Sequence, residues 1–340
     1  MGIRGRLVIS TVILLVLAAA VAVFSLGVGS AKLSFAKVIF ALLDQEGISP
    51  EVKTILFGLR LPRLLMGLLA GGALALSGVV FQALLRNPLA DPFILGVSSG
   101  AALGTIAVSV LGGTVLFNLF GMDTAVFVKK LFSFVGAMVT VYIVFKVARV
   151  KERLYPNTML LTGVIVNAFF SAGIMFLVSI SRSDKIHGIF FWLMGDLSLV
   201  SYDEVVVVLI LSIISFIAVY YLARPMNLLL SGEEAAASLG VEVERVKLFL
   251  FILASILTAS VVSAVGVVGF VGLVIPHMMR MVVGPDHRVL IPASFLFGGS
   301  FLALADTAAR TVVSPLELPV GVLTALFGAP FFIYLLRREM

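Results

Sequence analysis

Three histidines, no cysteine and a thin scatter of charges are all that this 340-residue sequence offers for bond-making chemistry. His187, His277 and His287 stand far apart and make no metal-ligand spacing, so no metal site is expected on this chain. Without cysteine there is neither a disulfide nor a thiolate ligand. The residues worth following suit contact rather than catalysis. In the stretch 231–241, Ser231 is placed to cap a short helix, and Glu233 and Glu234 fall in its first turn, where the helix dipole favours acids. Ala235, Ala236 and Ala237 propagate the helix, and Leu239 and Gly240 end it. A short capped helix with small side chains and no lipid-facing stripe is suited to touching another protein; the plainer reading is a surface connector. A second polar stretch, Arg86-Asn87-Pro88-Leu89-Ala90-Asp91-Pro92, has prolines that force turn geometry and an Asn and an Asp suited to a turn and a helix N-cap.

The elements that must hold these stretches are apolar. The chain is 61% hydrophobic and 12% charged, whereas soluble domains average roughly 45–50% and 25%. Lipid is the solvent that accommodates such a composition. The net charge of +6 sits at the ends of apolar runs and not along a face, which excludes a nucleic-acid surface and matches the positive-inside bias. Ten segments are apolar enough to cross a bilayer, some only with their flanks: 7–28, 64–85, 93–111, 131–150, 159–180, 205–222, 248–265, 268–283, 289–305 and 320–336. The first is too long for a signal-peptide core and is read as a retained span. The apolar stretch 248–283 is split in two by a tight turn at Gly266, Gly269 and Gly272, which places the basic residues at both its ends on one side. With the N-terminus inside, 14 Lys and Arg fall inside and 10 outside. The expected fold is therefore all-α: one polytopic membrane domain over 1–340 with about ten transmembrane helices and both termini cytoplasmic. Gly78 to Arg86 and Gly272 to Arg280 share a Gly, seven residues and an Arg, an echo read here as coincidence between two helix ends.

Six stretches, in this order and spacing, carry a resemblance. They are Leu59-Arg60-Leu61-Pro62-Arg63; the 86–92 loop followed by Gly96 and Ser98-Ser99-Gly100-Ala101; Trp192-Leu193-Met194-Gly195-Asp196-Leu197; 232–240; Gly269 through His277 with Arg280; and Glu317-Leu318-Pro319-Val320-Gly321 with Gly328-Ala329-Pro330-Phe331. From about Arg60 onward the sequence resembles the permease subunit of iron-siderophore, haem and cobalamin ABC importers. The resemblance implies a prokaryotic cytoplasmic-membrane protein with ten spans, paired as a homodimer with the pathway at the dimer interface. Two ATPase subunits would sit on the cytoplasmic side, and a periplasmic or lipid-anchored binding protein would dock outside. The permease would be no enzyme and carry no cofactor of its own, ATP and Mg belonging to the ATPase; no Walker loop occurs in this sequence.

Carried over residue by residue, the resemblance puts the ATPase-coupling helix on Gly232, Glu233, Glu234, Ala235, Ala236, Leu239 and Gly240. It puts the arginines that meet acidic residues of the binding protein on Arg60, Arg63 and Arg310, for which the plain alternative is snorkelling, or pairing of Arg310 with Asp306 or Glu317. It puts a cytoplasmic gate on Pro156 and Asn157, where some relatives carry small hydroxylated residues. The rival reading is an ion-coupled secondary transporter, which would want ionisable residues inside the spans; these are nearly free of them. An oxyanion such as molybdate is the alternative cargo within the same family.

Overall fold

The computed structural model describes residues 2–29, 38, 49–112 and 122–339. Asp44, expected on the outer side, lies outside these residues. The described chain is helical: α1 (Ile3–Gly27), α2 (Leu61–Leu84), α3 (Val97–Ala107), α4 (Met122–Ala148), α5 (Pro156–Ser179), α6 (Ser183–Leu193), α7 (Tyr202–Tyr221), α8 (Ala223–Leu230), α9 (Glu233–Ser238), α10 (Val243–Val265), α11 (Val271–Val283), α12 (His287–Ala309) and α13 (Val320–Glu339). A two-residue hairpin of β1 (Arg149–Val150) and β2 (Arg153–Leu154) joins α4 to α5. Seven of these helices are long and apolar enough to cross a membrane: α1, α2 with its helical lead-in from Pro50, α4, α5, α7, α10 and α12. Three shorter apolar helices, Val97–Gly112, Val271–Val283 and Val320–Tyr334, account for the rest of the ten segments.

The apolar faces divide as a membrane protein requires. Side chains of α1, α5 and α7 face outward over most of their length, whereas α2 is buried almost all round and forms the axis of the bundle. Helices in lipid gain little from hiding Leu from Leu, so close backbone approach has to hold them together. Small residues supply it. At Gly71 a Cβ would overlap the carbonyl of Gly298 on α12. At Gly78 it would overlap the carbonyl of Gly272 on α11. The two glycines of the sequence echo are thus partners in one helix contact, and Arg280 continues it by donating from Nη2 to Gln82 Oε1 at 2.9 Å.

The 248–283 stretch is two helices, but the connection is not a tight turn. Ser77 of α2 donates to the Ala254 carbonyl, and Phe81 rests against Phe251, so α10 runs antiparallel to α2. Val265 then lies eleven residues beyond Ala254, about 16 Å further along the axis at 1.5 Å per residue. Gly272 is nevertheless back beside Gly78. Residues 266–269 therefore descend as non-helical backbone within the bundle, Phe270 turns the chain at φ 68°, and α11 is a half-helix of 13 residues, about 20 Å. Non-helical backbone at membrane depth is tolerated only where protein buries it or a polar cavity is lined by it.

The polar contacts sort into two ends. At one lie the 86–92 loop, the hairpin, α8, α9 and the α11–α12 turn, with Arg6 reaching toward Gly284. At the other lie Arg60, Arg63, Asp306, Arg310 and Glu317. α13 starts beside Glu317 and runs for 20 residues, about 30 Å, which returns the C-terminus to the end occupied by Arg6. A cysteine placed at Leu316 is expected to react with an impermeant thiol reagent from outside, and one at Leu239 only after permeabilisation; both side chains are exposed. Labelling of both from one side would break the topology.

Candidate functional site

The cytoplasmic end is organised around α8 and α9. The strongly amphipathic α8 lays Ala223, Met226 and Leu229 onto the bundle. Ser231 closes α8 and does not cap α9: the N-cap is Gly232, at φ 117°, with no side-chain cap. An L side chain is strained there, which is why a glycine and not the serine makes the corner. Gly240 ends the helix at φ 86°, as expected. Within α9, Ala236 is fully buried against its own chain, whereas Glu234, Ala235, Ala237, Ser238 and Leu239 face out. Of the residues assigned to the ATPase contact, Ala236 therefore faces the wrong way, and Leu239, 67% exposed, is the apolar side chain at the tip.

Three sets of contacts wire this corner to the spans. Asn227 on α8 donates to Asp286 Oδ1 at 2.9 Å and accepts from the His287 amide at 2.9 Å, holding the α11–α12 turn. Arg86 pairs with Glu233 at 2.9 Å, holding the α2–α3 loop. Lys247 at the start of α10 pairs with both Glu233 and Glu244. Asp286 caps α12, and its carboxylate is held well below the usual range, first by the hydrogen bond from the Arg288 guanidinium. The loop residues behave as read: Asn87 accepts from the Leu89 amide and Asp91 from the Phe93 amide, at 2.9 and 2.8 Å.

Burial pushes the Asp91 carboxyl up to about 6, against the pull of its hydrogen bond from the Phe93 amide. A raised carboxyl binds its proton more tightly when folded, so its contribution to stability is lost as pH rises from about 4 through 6. Asn caps as well as Asp does. Asp91→Asn is therefore expected to raise the melting temperature above pH 7 and to give no gain below pH 4, as scanning calorimetry of the detergent-solubilised protein would show. A gain independent of pH would contradict it.

At the outer end the structure brings the three arginines together but does not leave them free. Arg60 and Arg310 are 6% and 5% exposed. Arg60 donates to the Leu26 and Gly27 carbonyls at 2.6 and 3.3 Å, and Arg310 donates to the Ser25 carbonyl and hydroxyl at 2.6 and 2.9 Å. Both thus satisfy the last turn of α1, whose carbonyls have no partner within the helix and carry the negative end of its dipole. Arg63 grips Asp306 with Nε and Nη2 and reaches Glu317 with Nη1 at 2.7 Å. Arg310 also approaches Asp306, at 3.6 Å. Two of the guanidinium groups assigned to docking are thus internal, Arg310 approaches Asp306 as the plain alternative has it, and within the cluster the Arg63–Glu317 pair reaches the surface, Glu317 being 39% exposed. Pro62 occupies the first turn of α2, where a missing N–H costs nothing, and a π-helical stretch, Thr54–Arg60, leads into it.

Three of the sequence motifs meet inside the bundle. The non-helical 266–270 segment lies against the end of α6: Asp196 donates its amide to the Val265 carbonyl at 2.8 Å, and Val267 to that of Trp192 at 3.4 Å. A Cβ on Gly321 would meet the Met194 carbonyl, and one on Gly328 the ring of Phe270. The Trp192–Leu197, Gly269–His277 and Glu317–Phe331 stretches thus form one crossing of irregular backbone. Pro156 opens α5 at its first turn, with Asn157 exposed beside it at the cytoplasmic end.

A family model described as the FecCD transport family matches residues 14–338. The chain belongs to the FecCD transport family. Its relatives include the cobalamin import system permease protein of Halobacterium salinarum, 43% identical over 89% of this chain and 79% of that one. Another is the hemin transport system permease protein of Yersinia pestis, 37% identical over 92% of each. A solved inward-facing structure of a metal-chelate type ABC transporter superposes with a TM-score of 0.83 at 32% identity, covering 96% of this chain and 98% of that one. Other FecCD relatives are named for Fe(3+)-citrate and molybdate. The expected fold class is what the structure and this match show: an all-α, multi-pass membrane permease.

Proposed function

We propose that this FecCD protein is the membrane-spanning subunit of a binding-protein-dependent ABC importer that carries a metal chelate (an iron-siderophore, haem or cobalamin) across the cytoplasmic membrane. Two copies would enclose the pathway, and ATP hydrolysis would take place in two separate ATPase subunits. The observation that carries this reading is α9, a six-residue helix with an exposed leucine at its tip, tied by side-chain contacts to the α2–α3 loop and α10, and by α8 before it to the α11–α12 turn. Such a helix can hand a push from a cytoplasmic partner to several spans at once. Pro156 and Asn157, at the start of α5, are assigned to the cytoplasmic gate on the family resemblance, and Asn157 is exposed where the assignment needs it.

At the other face we assign binding-protein docking to the Arg60, Arg63 and Arg310 cluster, in which three cations meet two carboxylates and leave a net positive charge. An acidic side chain on the partner would compete with Glu317 for Arg63, and the buried pair would fix where the cation stands. Contacts of this kind set orientation and on-rate more than affinity.

Molybdate is a second cargo with a specific observation behind it, since a relative 35% identical over 93% of each chain is named a molybdate import permease. The test is reconstitution in vesicles with the cognate ATPase and binding protein, offering iron chelates, haem, cobalamin and molybdate in turn. ATP-dependent accumulation of one chelate is the expected result. Uptake driven by a proton gradient without ATP would sink the reading, and uptake of molybdate alone would replace the cargo.

A further inference from the structure

We infer that a buried ion pair centred on Lys247 carries movement of α9 to the cytoplasmic start of α5, with Glu244 as the positioning residue; this rests on α9 being the helix that meets the ATPase. The Lys247 side chain is 4% exposed. A buried ammonium must be paired, and taking away a partner strands a charge. Lys247 Nζ has two carboxylates, Glu233 Oε1 at 2.7 Å from the first turn of α9 and Glu244 Oε1 at 3.1 Å from the first turn of α10. The other oxygen of Glu244 accepts the amide of Leu154 at 2.9 Å. Leu154 ends β2; Tyr155 and Pro156 follow it and open α5. An unbroken series of contacts therefore runs from α9 through Glu233, Lys247 and Glu244 into the backbone two residues before Pro156.

Its links differ in stiffness. Glu233 is also held by Arg86, but that arginine side chain is 40% exposed, and exposed ion pairs hold weakly. The Lys247 leg is buried, and opening it would leave the ammonium with Glu244 alone, so α9 is held to the start of α10 more firmly than to the α2–α3 loop. The far end is a short lever. Lys151 and Glu152 form its turn at φ 46° and 65°, a left-handed pair that fits the twist of a two-residue hairpin but strains side chains other than Gly or Asn. Beside the lever a cleft of about 520 Å³ opens between the hairpin and the first turn of α10, lined among others by Arg149, Arg153, Glu242 and Arg245. The cleft leaves the hairpin unpacked against the first turn of α10, and the Glu244–Leu154 bond is a side-chain tether across it.

The test exploits the absence of cysteine from the chain, which lets single environment-sensitive fluorophores be placed at Ser238→Cys and, separately, at Asn157→Cys. The complete transporter, with ATPase subunits and binding protein, is reconstituted in vesicles. In the wild-type background both probes are expected to respond to ATP. Glu244→Ala keeps Lys247 paired with Glu233, so the probe at 238 should still respond, while the probe at 157 loses its response. Cargo moved per ATP should then fall by about tenfold, within the range of single coupling residues. Glu244→Gln keeps an oxygen for the Leu154 amide and should restore coupling to within about twofold of wild type, the ordinary scatter between independent sites. A Glu244→Ala protein whose 157 probe and transport ratio match wild type overturns the relay alone, as does a Glu244→Gln protein as defective as Glu244→Ala. A wild-type 238 probe that ignores ATP overturns the assignment of α9, and the relay with it.

Discussion

Arg63→Ala is expected to cost about 3–5 kcal/mol of stability, the penalty for leaving one member of a buried pair without its partner. Asp306 is the group left behind. Its side chain is 4% exposed, Arg63 meets it with Nε and Nη2 within 2.9 Å, and the remaining cation, Arg310, stands 3.6 Å away and is already spent on Ser25 at the end of α1. Arg310 faces Asp306 with Nε alone while its Nη2 holds the α1 carbonyl, so it cannot reproduce the two-pronged grip of Arg63. Thermal unfolding of the purified protein in detergent would show the loss. Two further variants separate the causes. Glu317→Gln removes only the half-exposed pair and should cost no more than about 1 kcal/mol. Asp306→Asn in the Arg63→Ala background removes the orphaned charge and should recover part of the loss. An Arg63→Ala protein that melts with wild type would show that the outer cluster is not holding α1, α2 and α12 together. Any study of docking at this face then has to act through Glu317, since reversing Arg60 or Arg63 disturbs the bundle before it disturbs a partner.

The spans themselves were legible because the bilayer imposes one rule on all of them: about twenty apolar residues between polar ends. Where the rule is relaxed the sequence misleads. Residues 266–270 are apolar and continuous with both neighbours, so hydropathy cannot see that the helix is interrupted there; the Val267 amide is taken by the Trp192 carbonyl, and Asp196 from the same distant stretch donates to Val265 at the end of α10. Gly195, Gly266 and Gly321 stand in separate stretches of the sequence, and their role as a crossing point needs all three stretches in space. The echo between Gly78 and Gly272 was read as chance, yet the pair is a helix contact. A shared Gly followed by Arg at one spacing is what two parallel helices show when they touch at one level and end at one interface. Sequence alone leaves docking and internal pairing of the outer arginines both open. Burial of a guanidinium by the C-terminus of another helix leaves no mark in the sequence around it.

α9 is the reverse case, a helix found from seven residues whose inner and outer faces the sequence could not assign. Alanine at 235, 236 and 237 offers no amphipathic contrast, and only the fold shows that Ala236 packs inward. That geometry changes which substitution is informative. Ala236→Trp would crowd α9 off its own chain and would say nothing about an ATPase. Leu239→Glu tests the contact itself. Leu239 is 67% exposed at a cytoplasmic corner held by Gly232 and Gly240, and burying a leucine of that kind in a groove is worth about 1.5–3 kcal/mol. Glutamate forfeits this gain and brings an unpaired carboxylate into the same groove, so the affinity for the ATPase subunit should fall by about a hundredfold or more. Glu234→Gln, also exposed on α9, lies at the rim and should change affinity by no more than about 1 kcal/mol. Titration of the labelled permease with the ATPase subunit reads the affinity, and ATP turnover in the assembled transporter reads the coupling. Leu239→Glu should lose both while keeping the melting temperature of wild type, because the side chain touches little of its own chain. Unchanged affinity and turnover would return α9 to the status of a connector. Unchanged affinity with lost turnover would move the contact elsewhere on the cytoplasmic face and leave Leu239 a part in transmission only.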